Sequence, residues 1–524
     1  MNVYDLMDKY SKTNLILRKY RNSSMKYEEL IRKSDALASY IIKRFDNNKM
    51  PIVVCGHKEH LMLVCFLSCT KSGHAYIPVD SSMSKERIKY IVENSNSKLI
   101  FNISDNKLHL DNIDIKNCAE IETIINSHAT MIPDKIYRVQ DEDIHYIICT
   151  SGSTGKPKGV KTTSNCLKSF VNWALTLWDY SEGTHYVFMN QAPFSFDLSV
   201  MDLYLSLYTG STLFSIDNQM ISNMKELFSY LKSSDINIWV STPSFAEMCL
   251  TDINFNNNLL PRLKVMLFCG EVLTNNCVQK LQNRFKYISI INLYGPTEAT
   301  VAVTAIKIDT ELSSNVNPLP VGYIKNDCKL FIVEKNNSVL NNDEDCLEFN
   351  GVSYRILPEG EKGEIIISGK SVSPGYFNNN EISKNVFSKR IINGIENRYY
   401  KTEDEGYIKD NLLYYCGRID SQIKLDGLRI ELENIANSLR EIEFIENAVV
   451  LPVKKENKLQ YLAAVVTLNK VLLKKDFEVG LVIKEKLKNL LSNYMIPRKI
   501  IIKEHLPMTI NGKINRRLLT EELK

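Results

Sequence analysis

PIVVCGHKEHLMLVCFLSCTKSGHAYIPVD, residues 51–80, reads as a buried strand, a helix and a second strand. Alternation of that kind implies a parallel sheet with crossover helices. The pattern extends both ways. KYEELIRKSDALASYIIKRF (26–45) has apolar residues at helical spacing, and downstream ERIKYIVENSN returns to helix and KLIFNIS to strand. After Gly159 it resumes with HYVFMN, YLSLYTGSTLFSI, NIWVSTPSF, VMLFCGE and YISIINLYG. Two such runs predict two doubly wound sheets packed together. From about 319 to 417 the texture changes to short strands with turn residues, as in GEKGEIIISGKSVSPGYF. Beyond Asp420 a compact α+β segment is expected, with helices near 431–442 and 480–493 and strands near 447–453 and 460–467. The expected fold class is therefore α/β. A large domain (1–417) carries a β-rich subdomain (about 319–417), and a small α+β domain (420–524) follows. ELSSNVNPLP reads as a surface linker.

Composition excludes several classes. Of 524 residues, 44% are hydrophobic and 24% charged, which is ordinary for a globular protein. Lys+Arg 65 against Asp+Glu 61 leaves a net charge of +4, too weak a bias for nucleic acid or an anionic membrane. Twelve Cys lie scattered, mostly at apolar positions, with no CxxC pair, and read as small buried hydrophobes in a reducing compartment. His57 and His60 are the only close histidine pair and lack two further ligands for zinc. The polar start MNVYDLMDKYSKTN has no signal-peptide core. The longest apolar run, 61–69, is about half a membrane span. A soluble, cytoplasmic protein is expected.

Chemistry concentrates in a few strings. TSGSTGKPKGV (150–160) follows the apolar strand YIIC. Backbone amides of such a loop can wrap phosphate oxygens, with hydroxyls and lysines as further donors. It is not a Walker A loop, because Pro157 follows Gly155-Lys156. Alone, it would read equally well as a flexible turn. Further along come KSGHAYIPVD (71–80), NQAPFSFDLSVMDLY (190–204), FCGEVL (268–273), NLYGPTEATVAVT (292–304), LPVGY (319–323), YYKTEDEGYI (399–408), YYCGRIDSQIKLDGLRIELENI (414–435), YMIPRKI and NGKINR.

In this order and over nearly the whole chain, these strings resemble the AMP-forming adenylate superfamily of acyl-CoA synthetases, luciferase and adenylation domains. The pocket strings are most similar to members that activate D-alanine and load it onto a carrier protein for teichoic acid D-alanylation. The resemblance implies ATP and Mg²⁺ as the nucleotide pair, and a small phosphopantetheinylated carrier as partner. Because the chain ends at Lys524 without a fused carrier, a separate carrier protein is expected.

The resemblance also assigns residues. Thr150, Ser151, Gly152, Ser153 and Thr154 would hold phosphates. Tyr294 would lay its ring on adenine and Asn292 would bond the base edge, with Leu293, Gly295, Pro296 and Thr297 around the nucleotide. Glu298, a hard oxygen ligand, would hold Mg²⁺. Asp404 would accept the ribose hydroxyls, with Tyr415, Cys416, Gly417 and Arg418 beside it. Asp197 would pair with the substrate ammonium, although an Asp before LSVMDLYLSL could also cap that helix. Cys269 and Val301 would line a pocket the size of a methyl side chain. Lys513 would be the catalytic lysine, touching both substrates. Asp420 would be the hinge, and Gly427 would let the pantetheine arm pass close to backbone.

Two positions depart from the family pattern. Ser164 stands where many relatives have His, though the most similar ones also lack it. Glu403 stands where T-G-D is usual, and a Glu forced to positive φ costs on the order of 1 kcal/mol or more. Rival readings are a paralogue for L-Ala, Gly or Ser, an acyl-CoA synthetase, which Asp197 disfavours, and a nucleotide-binding protein without turnover.

Overall fold

The computed structural model describes residues 3–45, 48–106, 108–150, 157–335, 346–392, 394–419, 422–425, 428–455, 458–469, 476–507 and 514–523. Met1–Ser81, Ser95–Cys149 and Gly159–Ile419 form one compact unit. Ser82–Asn94, Thr150–Lys158 and Asp420–Lys524 form a second.

The strands expected within 51–102 lie at Ile52–Gly56, Tyr76–Asp80 and Leu99–Asn102, and pair in parallel with Val53 opposite both Ile77 and Ile100. Every residue of these three strands is buried, which explains their continuous apolar runs. Among the described residues they belong to a sheet of six, completed by Asp114–Asn117, Ile144–Thr150 and Lys158–Thr163.

The second sheet has nine strands among the described residues. Its parallel centre runs in the order Ser289–Tyr294, Val265–Phe268, Ile238–Ser241, Val187–Asn190 and Thr212–Ser215. YLSLYTGSTLFSI is divided between two elements. YLSLYT closes the Leu198–Thr209 helix, Gly210 ends it in left-handed backbone (φ 66°), and Thr212–Ser215 is the strand. The next strand on that side comes from the N-terminus. Ile16–Tyr20 pairs in parallel with Thr212–Ser215, and Ser23–Lys26 folds back on it as the outer edge. Sequence reading missed this hairpin because its partner is remote along the chain.

The β-rich region forms a mainly antiparallel sheet that includes Cys328–Lys335, Gly363–Gly369, Ile395–Lys409 and Leu412–Arg418. The expected linker ELSSNVNPLP needs correction. Its first half lies in the Thr310–Asn315 helix, capped by the Asp309 side chain, and Ser313 and Leu319 are buried. Polar composition suggested a loop, but Asp-Thr-Glu is also a helix start.

In the second unit, a three-stranded sheet of Ile445–Lys455, Lys458–Leu468 and Lys499–Ile502 packs against the Leu432–Arg440 and Asp476–Leu490 helices. The latter begins earlier than expected, with Asp476 and Glu478 in its first turn where they suit the helix dipole. A final helix, Arg516–Glu522, was not foreseen. Among the described residues no helix is long and apolar enough to cross a membrane.

Candidate active site

Ligands in open α/β sheets bind beyond the carboxyl ends of the strands. In the nine-stranded sheet three such ends carry expected site residues. Val187–Asn190 runs on to Asp197, Val265–Phe268 delivers Cys269, and Ser289–Tyr294 ends on Tyr294.

Asp197 directly precedes the Leu198–Thr209 helix, yet its backbone is already helical (φ −63°, ψ −25°) and its side chain makes no capping hydrogen bond. A capping Asp has extended backbone and accepts from an amide two or three residues on. The helix-cap alternative is therefore not realised. Tyr146, on the Ile144–Thr150 strand, was missed by the sequence reading. Burial pushes its phenol well up, and Asp197 is among the neighbouring groups that add to the rise.

Cys269 and Val301 do meet. The buried thiol donates to the Val301 carbonyl at 3.7 Å. Val301 (φ 68°) and Thr300 (φ 58°) both sit in left-handed backbone, a rare state for β-branched residues that persists only when surroundings enforce it. Three bonds do so here. The Thr300 hydroxyl donates to the Ser371 carbonyl at 2.8 Å, its amide donates to Thr297, and the Val303 amide donates to Tyr294. The turn brings Ala302 so close that a Cβ on Gly295 would lie 2.5 Å from the Ala302 Cα, so only glycine fits there.

Among the residues expected around the nucleotide, the buried Tyr294 hydroxyl donates to Asp404 Oδ2 at 2.6 Å, and Arg418 Nη1 donates to Asp404 Oδ1 at 3.0 Å. Burial, with Asp404 beside it, pushes the Tyr294 phenol well up, so it remains a donor. Both carboxylate oxygens are thus fixed while retaining lone pairs for further partners. The Tyr415 ring lies 5.8 Å from that of Tyr294, Cys416 is exposed, and Gly417 has φ 134°. Asn292 is fully buried, and its amide donates to the Pro320 carbonyl at 2.9 Å, an internal tie the sequence did not suggest. Glu298 is also buried, with Oε1 accepting from the Tyr376 hydroxyl at 2.8 Å. Tyr376 too went unpredicted. The Thr150 hydroxyl donates to the Lys158 carbonyl at 3.5 Å. Ser151, Gly152, Ser153, Thr154, Asp420, Gly427 and Lys513 lie outside the described residues.

Glu403 has φ 60°, the conformation its sequence context suggested, and its carboxylate meets Arg418 Nη2 at 3.3 Å. Arg418 therefore balances Glu403 and Asp404 together. Glu403→Gly relieves about 1 kcal/mol of backbone strain and removes a half-exposed ion pair worth roughly 0–1 kcal/mol. Thermal stability is expected to stay within about 1 kcal/mol of the parent, with ATP affinity equal or higher. A weaker ATP titration would mean that Glu403 orients Arg418 for the nucleotide.

Residues 8–377 match the AMP-binding enzyme family, and residues 431–513 match the AMP-binding enzyme C-terminal domain. The chain belongs to the AMP-binding enzymes. It is 45% identical over 506 residues to a D-alanine–D-alanyl carrier protein ligase of Bacillus cereus (strain AH187), covering 96% of this chain and 95% of the relative. The ligase of the same name from Bacillus anthracis is likewise 45% identical, over 504 residues, with the same coverage. Two solved structures share the fold. The Vibrio cholerae adenylation domain AlmE, in complex with glycyl-adenosine-5'-phosphate, has TM-score 0.78 at 20% identity, covering 99% of this chain and 97% of that one. Holo-PA1221, which contains adenylation and PCP domains, has TM-score 0.79 at 20% identity, covering 99% and 84%. Membership makes this chain an AMP-forming ligase that uses ATP.

Proposed function

We propose that this AMP-binding enzyme activates D-alanine as D-alanyl-AMP and transfers it to the pantetheine thiol of a carrier protein, for D-alanylation of teichoic acid. The observation that supports the reading is the Cys269 thiol seated on the Val301 carbonyl, which brings together the two residues read here as walls of a pocket for a small side chain. Asp197, not engaged as a helix cap, supplies the counter-ion for an α-ammonium group.

The substrate carboxylate is already ionised and needs no general base. It attacks the α-phosphorus of ATP in line, and pyrophosphate leaves. Catalysis is then positioning plus charge neutralisation. Lys513 bridges the two anions, and the 150–154 loop holds phosphates. Glu298, a hard oxygen donor, suits the Mg²⁺ that accompanies ATP, an ion that takes one or two carboxylates plus phosphate and water. In the second step the C-terminal segment from Asp420 onward rotates, and the thiolate attacks the acyl carbon as AMP leaves, its arm passing Gly427. Reliance on ATP, together with twelve free cysteines, fits a cytoplasmic location.

ATP–pyrophosphate exchange across D- and L-amino acids tests this, with the highest activity expected for D-alanine. Maximal exchange with L-alanine, glycine, serine or any bulky or acidic substrate would overturn it. Cys269→Gly should widen the pocket. A methylene in such a site is worth about 1–3 kcal/mol, so preference for D-alanine over D-serine should fall on the order of tenfold. Unchanged discrimination would remove Cys269 from the pocket wall.

A further inference from the structure

Between the Ile52–Gly56 strand and the His60–Lys71 helix lie His57, Lys58 and Glu59, and Lys58 is turned wholly inward. Its ammonium donates to Asn190 Oδ1 and to the Ala192 carbonyl, both at 2.5 Å, and stands 4.7 Å from the centre of the Phe194 ring. All three partners lie on the stretch that leads from the Val187–Asn190 strand to Asp197. The network extends further. Asn190 Nδ2 donates at 2.9 Å to Asp202, a carboxylate buried in the helix that follows Asp197. Arg18, fully buried on the N-terminal strand, donates to the Lys58 carbonyl at 2.6 Å, the Glu59 carbonyl at 3.0 Å and the Ser215 hydroxyl at 3.1 Å. The Ser215 hydroxyl in turn donates to Asn190 Oδ1 at 3.0 Å.

This is an unfavourable way to fill a core. Burial draws the Lys58 ammonium down to about 7, with Asp202, Asp80 and Asp217 opposing the fall and Arg18 adding to it. A well-packed apolar side chain of similar size would avoid that desolvation. What the ammonium provides instead is two short bonds and a ring contact, all to one loop.

We propose that Lys58 is a positioning residue for the amino acid substrate, holding residues 190–194 so that Asp197 stands where the substrate ammonium is received. The inference rests on the reading of Asp197 given above. A displacement of about 1 Å at a substrate contact can cost up to roughly a hundredfold. In pyrophosphate exchange, Lys58→Met is therefore expected to raise the KM for D-alanine on the order of tenfold and to leave the KM for ATP nearly unchanged. An unchanged D-alanine KM, or a parallel rise in both, would overturn the proposal.

Asp197→Asn and the double variant distinguish the two readings. If Lys58 acts through Asp197, the double variant is no worse than Asp197→Asn alone. Additive losses would overturn the Lys58 proposal and leave the Asp197 reading standing. A silent Asp197→Asn would remove both. Should Lys58→Met fail to fold, Lys58→Gln keeps an amide donor on a stem one bond shorter. It is then expected to show the same selective rise in D-alanine KM, smaller in size, and equal changes in both KM values would count against the proposal.

Discussion

Lys513→Ala is expected to abolish D-alanine-dependent pyrophosphate exchange while still transferring alanine from supplied D-alanyl-AMP to the carrier. Two anions, carboxylate and α-phosphate, must meet in the first step, and in the proposed mechanism the ammonium would neutralise the charge that builds between them. One preorganised contact of this kind is worth roughly 10²–10³ in rate, and bringing two anions together without it should cost more. The thioester step makes a different demand, because a thiolate attacks carbon and the leaving AMP needs no such bridge. Rotation about Asp420 would also carry Lys513 away before that step. Single-turnover measurement of the two half-reactions checks the separation. Equal loss in both would reduce Lys513 to a general phosphate contact.

Asp197→Asn should leave ATP binding nearly unchanged and cripple amino acid use. Removing one partner of a desolvated charge pair typically costs about 3–5 kcal/mol, or a loss in kcat/KM on the order of 10²–10⁴ for D-alanine. The helical backbone at Asp197 and the absence of a capping bond sharpen the expectation, since no lost cap should depress stability alongside activity. A thermal melt separates the two. A variant that melts early but keeps its D-alanine KM would return Asp197 to a structural role.

The sequence made legible whatever local pattern can carry. Continuous apolar runs at 52–55 and 76–79 announced strands buried on both faces, and the family resemblance implied that Cys269 and Val301 lie side by side before their contact was seen. Geometry that depends on remote neighbours was not legible. Glu298 reads as a metal ligand from YGPTE, yet the Tyr376 hydroxyl that holds its Oε1 lies 78 residues away. Asn292 reads as a base contact, and only the path of Pro320 reveals its internal bond. The buried Lys58 looks like any loop lysine in GHKEH, because nothing within its own loop predicts Asn190 and Ala192 as partners.

The N-terminal strand carries a consequence for biogenesis. Arg18 finds its Ser215 partner 197 residues downstream, so Ile16–Tyr20 leaves the ribosome long before the strand it must join exists. At about 5–20 residues per second, that interval is roughly 10–40 s. For all of it the nascent chain displays a strand edge with no mate, and the Arg18 guanidinium lacks its Ser215 acceptor. Such an edge invites pairing with other chains. Ribosome-bound intermediates stalled short of Thr212 should therefore be the most dependent on chaperones, and release from that dependence should coincide with emergence of the Thr212–Ser215 strand.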